Sequence, residues 1–316
     1  MKRFALVGVG GYIAPRHLKA IQDTGHTLVA ALDKSDSVGI IDRYFPQAHF
    51  FVEFERFDRH LELLRREGKG IDYLTVCSPN YLHDAHVRFG LRHGADVICE
   101  KPLAINPWNI KGLMHAEKES ENRVSTILQL RIHPSILALK KEIDEAPKDK
   151  IFDIDLTYIT SRGRWYLQSW KGDVSKSGGI TCNIGIHFFD MLLWIFGGCK
   201  KSSVHLHNPR KAAGFLQLER ANVRWFLSID SNDLPFEPEP GQPMTHRSIQ
   251  VDGKAFDFAK GFTDLHTESY KKIFNNEGFG LEDAFPSIEL TASIRTAKEE
   301  ELVGDYHPMV KKIKQG

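Results

Sequence analysis

The chain begins with a short apolar run, Phe4–Val9, that is interrupted by Gly8, Gly10 and Gly11 and passes directly into a helical pattern from Ile13 to Thr24. A strand, a glycine turn and a helix in that order make one chemical demand legible. The backbone must turn tightly and come close to a pyrophosphate, and the helix N-terminus must offer free N–H groups and the positive end of its dipole. Two registers are open. The G-x-G-x-x-G register puts Ile13 at the third glycine. The G-x-x-G-x-x-A register, with Gly8, Gly11 and Ala14, fits better, because Ala14 is small enough for close helix packing. Tyr12 and Ile13 complete the loop. The plain alternative is a glycine turn with no ligand.

The same strand-then-helix alternation continues. Apolar runs Thr27–Leu32, His49–Phe54, Tyr73–Cys77, Asp96–Cys99 and Val124–Leu130 are nearly continuous in hydrophobicity, as strands buried on both faces are. Helical patterns Ser37–Tyr44, Phe57–Arg66, His83–His93 and Pro107–Lys118 separate them. This predicts a doubly wound parallel sheet over residues 1–126. From residue 127 to 316 the pattern changes to α+β with an open, mostly antiparallel sheet. A helix, Ser135–Ile143, precedes Ile151–Thr160, where Phe152, Ile154, Leu156 and Tyr158 share a face. Ala212–Glu219 and Val223–Asp230 read as a hairpin. Ser248–Val251 and Ala255–Phe258 flank Asp252-Gly253, a type I′ turn signal. Asn232–Gln242 reads as a loop.

A length of 316 residues suits two domains, and a formal charge of +1 argues against a nucleic-acid binder or a polybasic membrane anchor. No apolar run of membrane-spanning length is read from the sequence. The four cysteines, Cys77, Cys99, Cys182 and Cys199, have no C-x-x-C spacing, and three lie in apolar surroundings as reduced core residues do. A cytoplasmic enzyme is the expectation.

Asp33 ends the second strand about 20 residues after the glycines, where an acidic residue accepts hydrogen bonds from an adenosine ribose. Asp36 follows closely. Two carboxylates repel a 2′-phosphate and favour NAD over NADP, whereas Lys34 argues the other way. A strand-end or capping role for Asp33 is the alternative.

Two stretches carry the chemistry. Glu100-Lys101-Pro102 follows the fifth strand, at the end of the sheet where ligands bind. Lys101 there can hold a substrate hydroxyl and stabilise the alkoxide as hydride leaves. Glu100 can orient Lys101 or touch the nicotinamide ribose. A solvated ion pair ending a strand is the alternative. In the second stretch, Ser177 to Asp190, Asn183 and His187 lie one helical turn apart and share a face. His187 suits proton transfer from a sugar hydroxyl, or is a hydrogen-bonded core histidine. His187 with Asp190 lacks further ligands, so no metal is expected.

The glycine motif, Ser78-Pro79-Asn80-Tyr81-Leu82-His83, Glu100-Lys101-Pro102 and the Gly178-Gly179…His187…Asp190 block resemble the Gfo/Idh/MocA oxidoreductase family, in order and over the whole chain. The resemblance implies a Rossmann domain followed by an open-sheet domain, hydride transfer between NAD(P) and sugars or cyclitols, and a homotetramer built through the sheet face. It implies cofactor contacts from Gly8, Gly11, Tyr12, Ile13, Asp33, Asp36, Ser37, Cys77, Ser78, Asn80, His83, Glu100, Lys101, Gln129, Trp170 and Lys171. It makes Lys101 the active-site lysine and His187 the acid/base candidate. Many sugar-oxidising members carry Asp four residues before that histidine. Here the residue is Asn183, which leaves the proton acceptor open between His187 and Lys101.

Further stretches, among them Gly11 to His17, Thr157 to Gly163, Ser169 to Asp173 and Gly261 to His266, resemble the WlbA/WbpB group within the family. That resemblance implies NAD-dependent oxidation at C3 of UDP-N-acetyl-2-amino-2-deoxy-D-glucuronate (UDP-GlcNAcA), for lipopolysaccharide sugars, and 2-oxoglutarate as the co-substrate that regenerates NAD. Lys101, Arg131, Tyr166, Lys171, Asn183 and His187 are the expected substrate contacts. Arg131, Arg162, Arg164 and Lys171 beside Trp165, Tyr166 and Trp170 would meet an anionic nucleotide sugar. Another sugar or inositol dehydrogenase of the family and a non-catalytic NAD-binding regulator are the rival readings.

Overall fold

The computed structural model describes residues 1–237, 244–257 and 264–315. Parts of three expectations lie outside them: residues 238–242 of the Asn232–Gln242 loop, Phe258, and residues 261–263 of the Gly261 to His266 stretch. The chain divides into two compact units, Met1–Ile132 with Thr263–Phe285 and His133–Phe262 with Pro286–Gly316. A single cut after residue 126 does not capture this, because a late segment returns to the first unit.

In the first unit the elements are β1 (Arg3–Val7), α1 (Ala14–Asp23), β2 (Thr27–Leu32), α2 (Ile40–Tyr44), β3 (His49–Phe51), α3 (Phe54–Arg66), β4 (Tyr73–Val76), α4 (His83–Arg92), β5 (Asp96–Cys99), α5 (Pro107–Glu119) and β6 (Val124–Thr126). The strands pair in parallel in the order β3-β2-β1-β4-β5-β6. This is the doubly wound order whose reversal falls between β1 and β4, where such sheets bind nucleotides. Two expected strands run too long. Phe54 opens α3, and Gln129–Ile132 is a 3-10 turn. Beyond β6, Ile127, Leu128 and Leu130 are buried without continuing the strand, whereas Val52 beyond β3 is 45% exposed.

One face of the sheet is covered by α1, whose Ala14, Leu18 and Ile21 are fully buried. The returning helix, Leu265–Phe274, packs beside α1. It delivers Tyr270 into the same core, stacked 6.0 Å from Phe4 and wholly buried.

The second unit holds α6 (Pro134–Glu145), β7 (Phe152–Thr160), α7 (Trp165–Gln168), α8 (Val174–Ser177), α9 (Ile186–Phe196), β8 (Cys199–His207), β9 (Lys211–Leu218), β10 (Ala221–Ser228), β11 (Thr245–Val251) and β12 (Lys254–Phe256). Its sheet order is β12-β11-β7-β10-β9-β8. Every pairing is antiparallel except β7 with β10. The expected β9–β10 and β11–β12 hairpins form. At the latter, Asp252 and Gly253 both have positive φ, 50° and 75°, as a type I′ turn requires. Phe189 of α9 meets Trp225 of β10 edge-on at 5.1 Å in the core.

Contrary to the sequence reading, one helical run, Val174–Phe196, is long and apolar enough to cross a membrane by length and composition, but 72% of its most apolar window is buried inside the protein. It is core-forming. Cys77, Cys99 and Cys182 are buried and Cys199 is exposed, and no disulfide joins any two of them.

Candidate active site

The first part of the site is the rim at the carboxyl ends of β1, β2, β4 and β5. Gly8 has φ +87°, and a Cβ there would fall 2.5 Å from the carbonyl carbon of Cys77. Only glycine lets the first loop lie against the loop after β4. Gly11 N–H donates to the Gly8 carbonyl at 3.1 Å, Ala14 N–H donates to the Gly11 carbonyl at 3.1 Å, and α1 starts at Ala14. Gly8, Gly11 and Ala14 are thus the structural positions of this turn. Tyr12 stands 92% exposed beside it, and Ile13 packs against the core. The Asp33 carboxylate accepts from Gly10 N–H and Ser35 N–H, both at 2.9 Å, and so is fixed against the loop. Asp36 and Ser37 are exposed just after it.

Past β4, Ser78 Oγ bonds His86 Nδ1 at 2.8 Å. The His83 ring spans the carbonyls of Ser78 and Pro102, each at 2.7 Å, and staples the loop after β4 to the loop after β5. Burial lowers the His83 pKa, partly opposed by those two carbonyls. Asn80 is buried in the intervening turn. Gln129 lies at the start of the turn after β6, and its Oε1 is buried without a hydrogen-bond partner among the described residues. Arg131 is 7% exposed; its guanidinium bonds the Asp283 carboxylate at 2.9 Å and the Asp283 carbonyl at 2.8 Å, and lies over Phe279.

Glu100 is buried, and both its oxygens are engaged by protein. Oε1 meets His17 Nε2 and His266 Nε2, each at 2.9 Å, and Oε2 accepts the Lys101 backbone N–H at 3.1 Å. Glu100 thus holds the Lys101 backbone amide. Burial alone would raise its pKa, but the bonds from His17 and His266 outweigh it and hold the carboxyl well below the usual range. Sequence reasoning assigned nothing to His17 or His266. A signal was present for His17: it interrupts the Ala14, Leu18, Ile21 face of α1, and a polar group in an apolar stripe needs a partner. Lys101 itself is half-buried, joined to Pro102 by a cis peptide bond.

The second unit carries the other candidates. The turn Trp170–Gly172 is capped by Ser169, whose Oγ accepts Lys171 N–H, and a Cβ on Gly172 would fall 2.1 Å from the Leu167 carbonyl oxygen. The Lys171 ammonium is thereby held over two rings, 4.5 Å from Trp170 and 5.4 Å from Trp165. Burial, with Arg162 nearby, lowers its pKa. Asn183 does not sit on a regular α-helix as expected. Thr181–Gly185 is a π-helical turn that leads into α9. From Ile180 to Leu192 only Asn183 and His187 escape full burial, so the two polar groups still share the accessible side. Asn183 Nδ2 donates to the Tyr166 hydroxyl. Asp190, three residues beyond His187, is buried.

A doubly wound sheet with a glycine cradle at its switch point, a buried Glu beside a lysine, and a separate sheet unit bearing a half-buried histidine define a dinucleotide-dependent oxidoreductase. Residues 2–128 match the oxidoreductase family with an NAD-binding Rossmann fold, and residues 148–233 match that family's C-terminal α/β domain; the chain belongs to the Gfo/Idh/MocA family. Among solved structures it is similar to the WlbA (WbpB) dehydrogenase of Thermus thermophilus. In complex with NAD and α-ketoglutarate that protein is 50% identical, with TM-score 0.92, over 98% of this chain and 100% of that one. The complex of the Thermus enzyme with NAD and UDP-GlcNAcA gives 49% identity and TM-score 0.92, again over 98% and 100%. WlbA of Bordetella pertussis, at 19% identity and TM-score 0.76 over 96% and 98%, shares the fold. Among curated proteins, glucose-6-phosphate 3-dehydrogenase of Bacillus subtilis is 26% identical over 62% of this chain and 54% of its own length. The chain spans about half the length of the first curated relatives that it matches.

Proposed function

We propose that the chain is an NAD-dependent dehydrogenase that oxidises the C3 hydroxyl of UDP-GlcNAcA to the 3-keto sugar, in the assembly of bacterial lipopolysaccharide or O-antigen sugars. One observation carries the reading: near 50% identity over the full length of an enzyme solved with NAD and with UDP-GlcNAcA. The residues fit the cofactor. The Gly8–Gly11 turn leads directly into the N-terminus of α1, as a pyrophosphate cradle requires, Asp33 and Asp36 would discriminate against a 2′-phosphate, and the buried Gln129 Oε1 has no hydrogen-bond partner among the described residues. NAD, when bound, accepts the hydride.

The protein's own groups do the rest. Gly8, Gly11, Tyr12 and Ile13 hold the pyrophosphate, with Asp33, Asp36 and Ser37 on the adenosine ribose. Cys77, Ser78, Asn80, His83, Glu100, Gln129, Trp170 and Lys171 border the nicotinamide side. Lys101 holds the reacting hydroxyl and stabilises the developing alkoxide. Lys101 or His187 takes the proton, and Asn183 fixes the Tyr166 hydroxyl. Lys171, clamped between two indoles, meets the negative charge of the sugar nucleotide, with Arg131 as a further anionic-ligand contact. The 2-oxoglutarate found with the Thermus enzyme supports it as the co-substrate that returns NADH to NAD. A cytoplasmic homotetramer completes the reading.

Mixing the purified protein with NAD and UDP-GlcNAcA is expected to give a burst of NADH absorbance, discharged by 2-oxoglutarate. NADH formation from free sugars or inositols but not from the nucleotide sugar would place the chain elsewhere in the family. None from any polyol would favour a regulator.

A further inference from the structure

We infer that His17 and His266 are positioning residues for Lys101, acting through Glu100. The inference rests on Lys101 holding the reacting hydroxyl, as proposed above.

The polarity of the cluster follows from its geometry. Glu100 Oε1 accepts from both histidines, so each carries its proton on Nε2. In neutral His17 the Nδ1 is then an acceptor, so the Tyr270 hydroxyl donates to it at 2.8 Å. The Tyr270 oxygen in turn accepts from Thr75 Oγ1 at 2.9 Å. Thr75 and Tyr270 are fully buried, His17 is fully buried, and His266 is 3% exposed. The carboxylate therefore takes three N–H donors, two imidazoles on Oε1 and one backbone amide on Oε2, and cannot rotate without breaking a buried charge-assisted bond. The amide is that of Lys101. Its backbone is thus anchored through Glu100 to three elements: the end of β5, α1 and the returning helix.

A metal explanation is weaker. The ligand atoms of His17, Glu100 and His266 lie within 4.8 Å of one another. However, both imidazole nitrogens address one oxygen at hydrogen-bond distance, and the second nitrogen of His17 is already used by Tyr270.

The groups facing Glu100 are His17 on α1, His266 and Tyr270 on the returning helix, Cys77 after β4, His83 on α4, Cys99 on β5 and the Lys101 backbone N–H, while Arg16 acts on His17 and the Lys101 charge on His83. Neutral His17, its pKa lowered by burial, and ionised Glu100 form one consistent protonation state. Loss of one imidazole donor raises the carboxyl pKa while the rest of the surroundings stay in place.

The test compares His17→Leu and His266→Leu with His17→Gln and His266→Gln, whose amide N–H can replace Nε2–H, and with Glu100→Gln. In the leucine variants kcat is expected to fall roughly 10- to 100-fold, with KM for NAD changed by less than about 3-fold. The acid limb of the kcat profile should move to higher pH. The glutamine variants at the histidines should recover most of both. If the leucine variants do not fold, Glu100→Gln decides: wild-type kcat and pH profile in that variant overturn the inference. So do histidine-to-glutamine variants as impaired as folded leucine ones, or activity lost on chelation and restored by zinc. Lys101→Ala run alongside separates two failures. Turnover in Lys101→Ala removes the lysine assignment itself, whereas an inactive Lys101→Ala beside wild-type-like histidine variants removes only the positioning role.

Discussion

Asn183 Nδ2 donates to the Tyr166 hydroxyl oxygen at 2.6 Å, so the tyrosine accepts from the π-helical turn and keeps its own proton to donate elsewhere. Burial raises the Tyr166 pKa, opposed by the Asn183 bond, and the group is a phenol at neutral pH. Tyr166→Phe leaves the Asn183 amide without this acceptor. We expect a loss of about 1 kcal/mol of stability in urea titrations and a 3- to 10-fold fall in kcat/KM, roughly the value of one hydrogen bond. Unchanged kinetics would detach this pair from the substrate.

Gly8→Ala tests the nucleotide cradle. The added methyl meets the Cys77–Ser78 peptide at 2.5 Å with φ at +87°, and a backbone peptide there cannot give way as a flexible side chain would. NAD affinity, read by fluorescence titration, should fall at least about 10-fold, with roughly 1–3 kcal/mol of strain. Tight NAD binding by a folded Gly8→Ala protein would show that the pyrophosphate does not use this loop.

Lys171→Met removes the ammonium that lies over Trp165 and Trp170 and keeps an unbranched side chain. KM for the nucleotide sugar should rise about 10-fold, in line with one partly buried charge contact, while kcat stays within about 3-fold. The wild-type KM should also rise with salt more steeply than that of the variant. Equal KM values at low salt would remove Lys171 from the substrate site.

Acid should weaken both units. Burial lowers His86, with His83 adding to it, from 6.5 to about 4 in the first unit, and burial lowers His307 from 6.5 to about 4 in the second. A histidine depressed in the folded state is neutral there while the unfolded chain takes up a proton. Its stabilising contribution is therefore complete above pH 6.5 and is lost as pH falls toward 4. Each accounts for about 3 kcal/mol over that window. Glu100 works in the same direction lower down, since its depressed pKa supports folding above the ordinary carboxylate value. Urea midpoints measured at intervals from pH 7 to pH 4 should decline for both units. Midpoints that do not change would show that these imidazoles are not buried neutral.

The sequence is most readable where one physical cause acts alone. Thr27–Leu32 and Asp96–Cys99 are strands end to end because both faces are buried and the apolar run stops where the ladder stops. Val124–Leu130 is equally apolar, yet only Val124–Thr126 is strand, since a 3-10 turn buries the remainder. β8 escaped notice because Lys200 and Lys201 mask its start and two register shifts interrupt its alternation. The π turn at Thr181–Gly185 has no compositional mark. In the candidate site, residue type and position single out Lys101 and His187 as candidates. The partners of Glu100 could not be assembled from spacing, because His17 and His266 are 249 positions apart in the chain and meet only through a folded helix pair.

The return of residues Thr263–Phe285 to the first unit has a bearing on how the protein is made. Domains ordinarily fold as they leave the ribosome, amino-terminal first. Here the nucleotide-binding sheet can be fully translated while Glu100 still lacks His266, and His17 still lacks Tyr270. A nascent chain halted before residue 263 would carry a complete set of parallel strands with the Glu100 carboxylate short of its His266 donor. The last buried bonds of the oldest part of the polypeptide are supplied by some of its youngest residues.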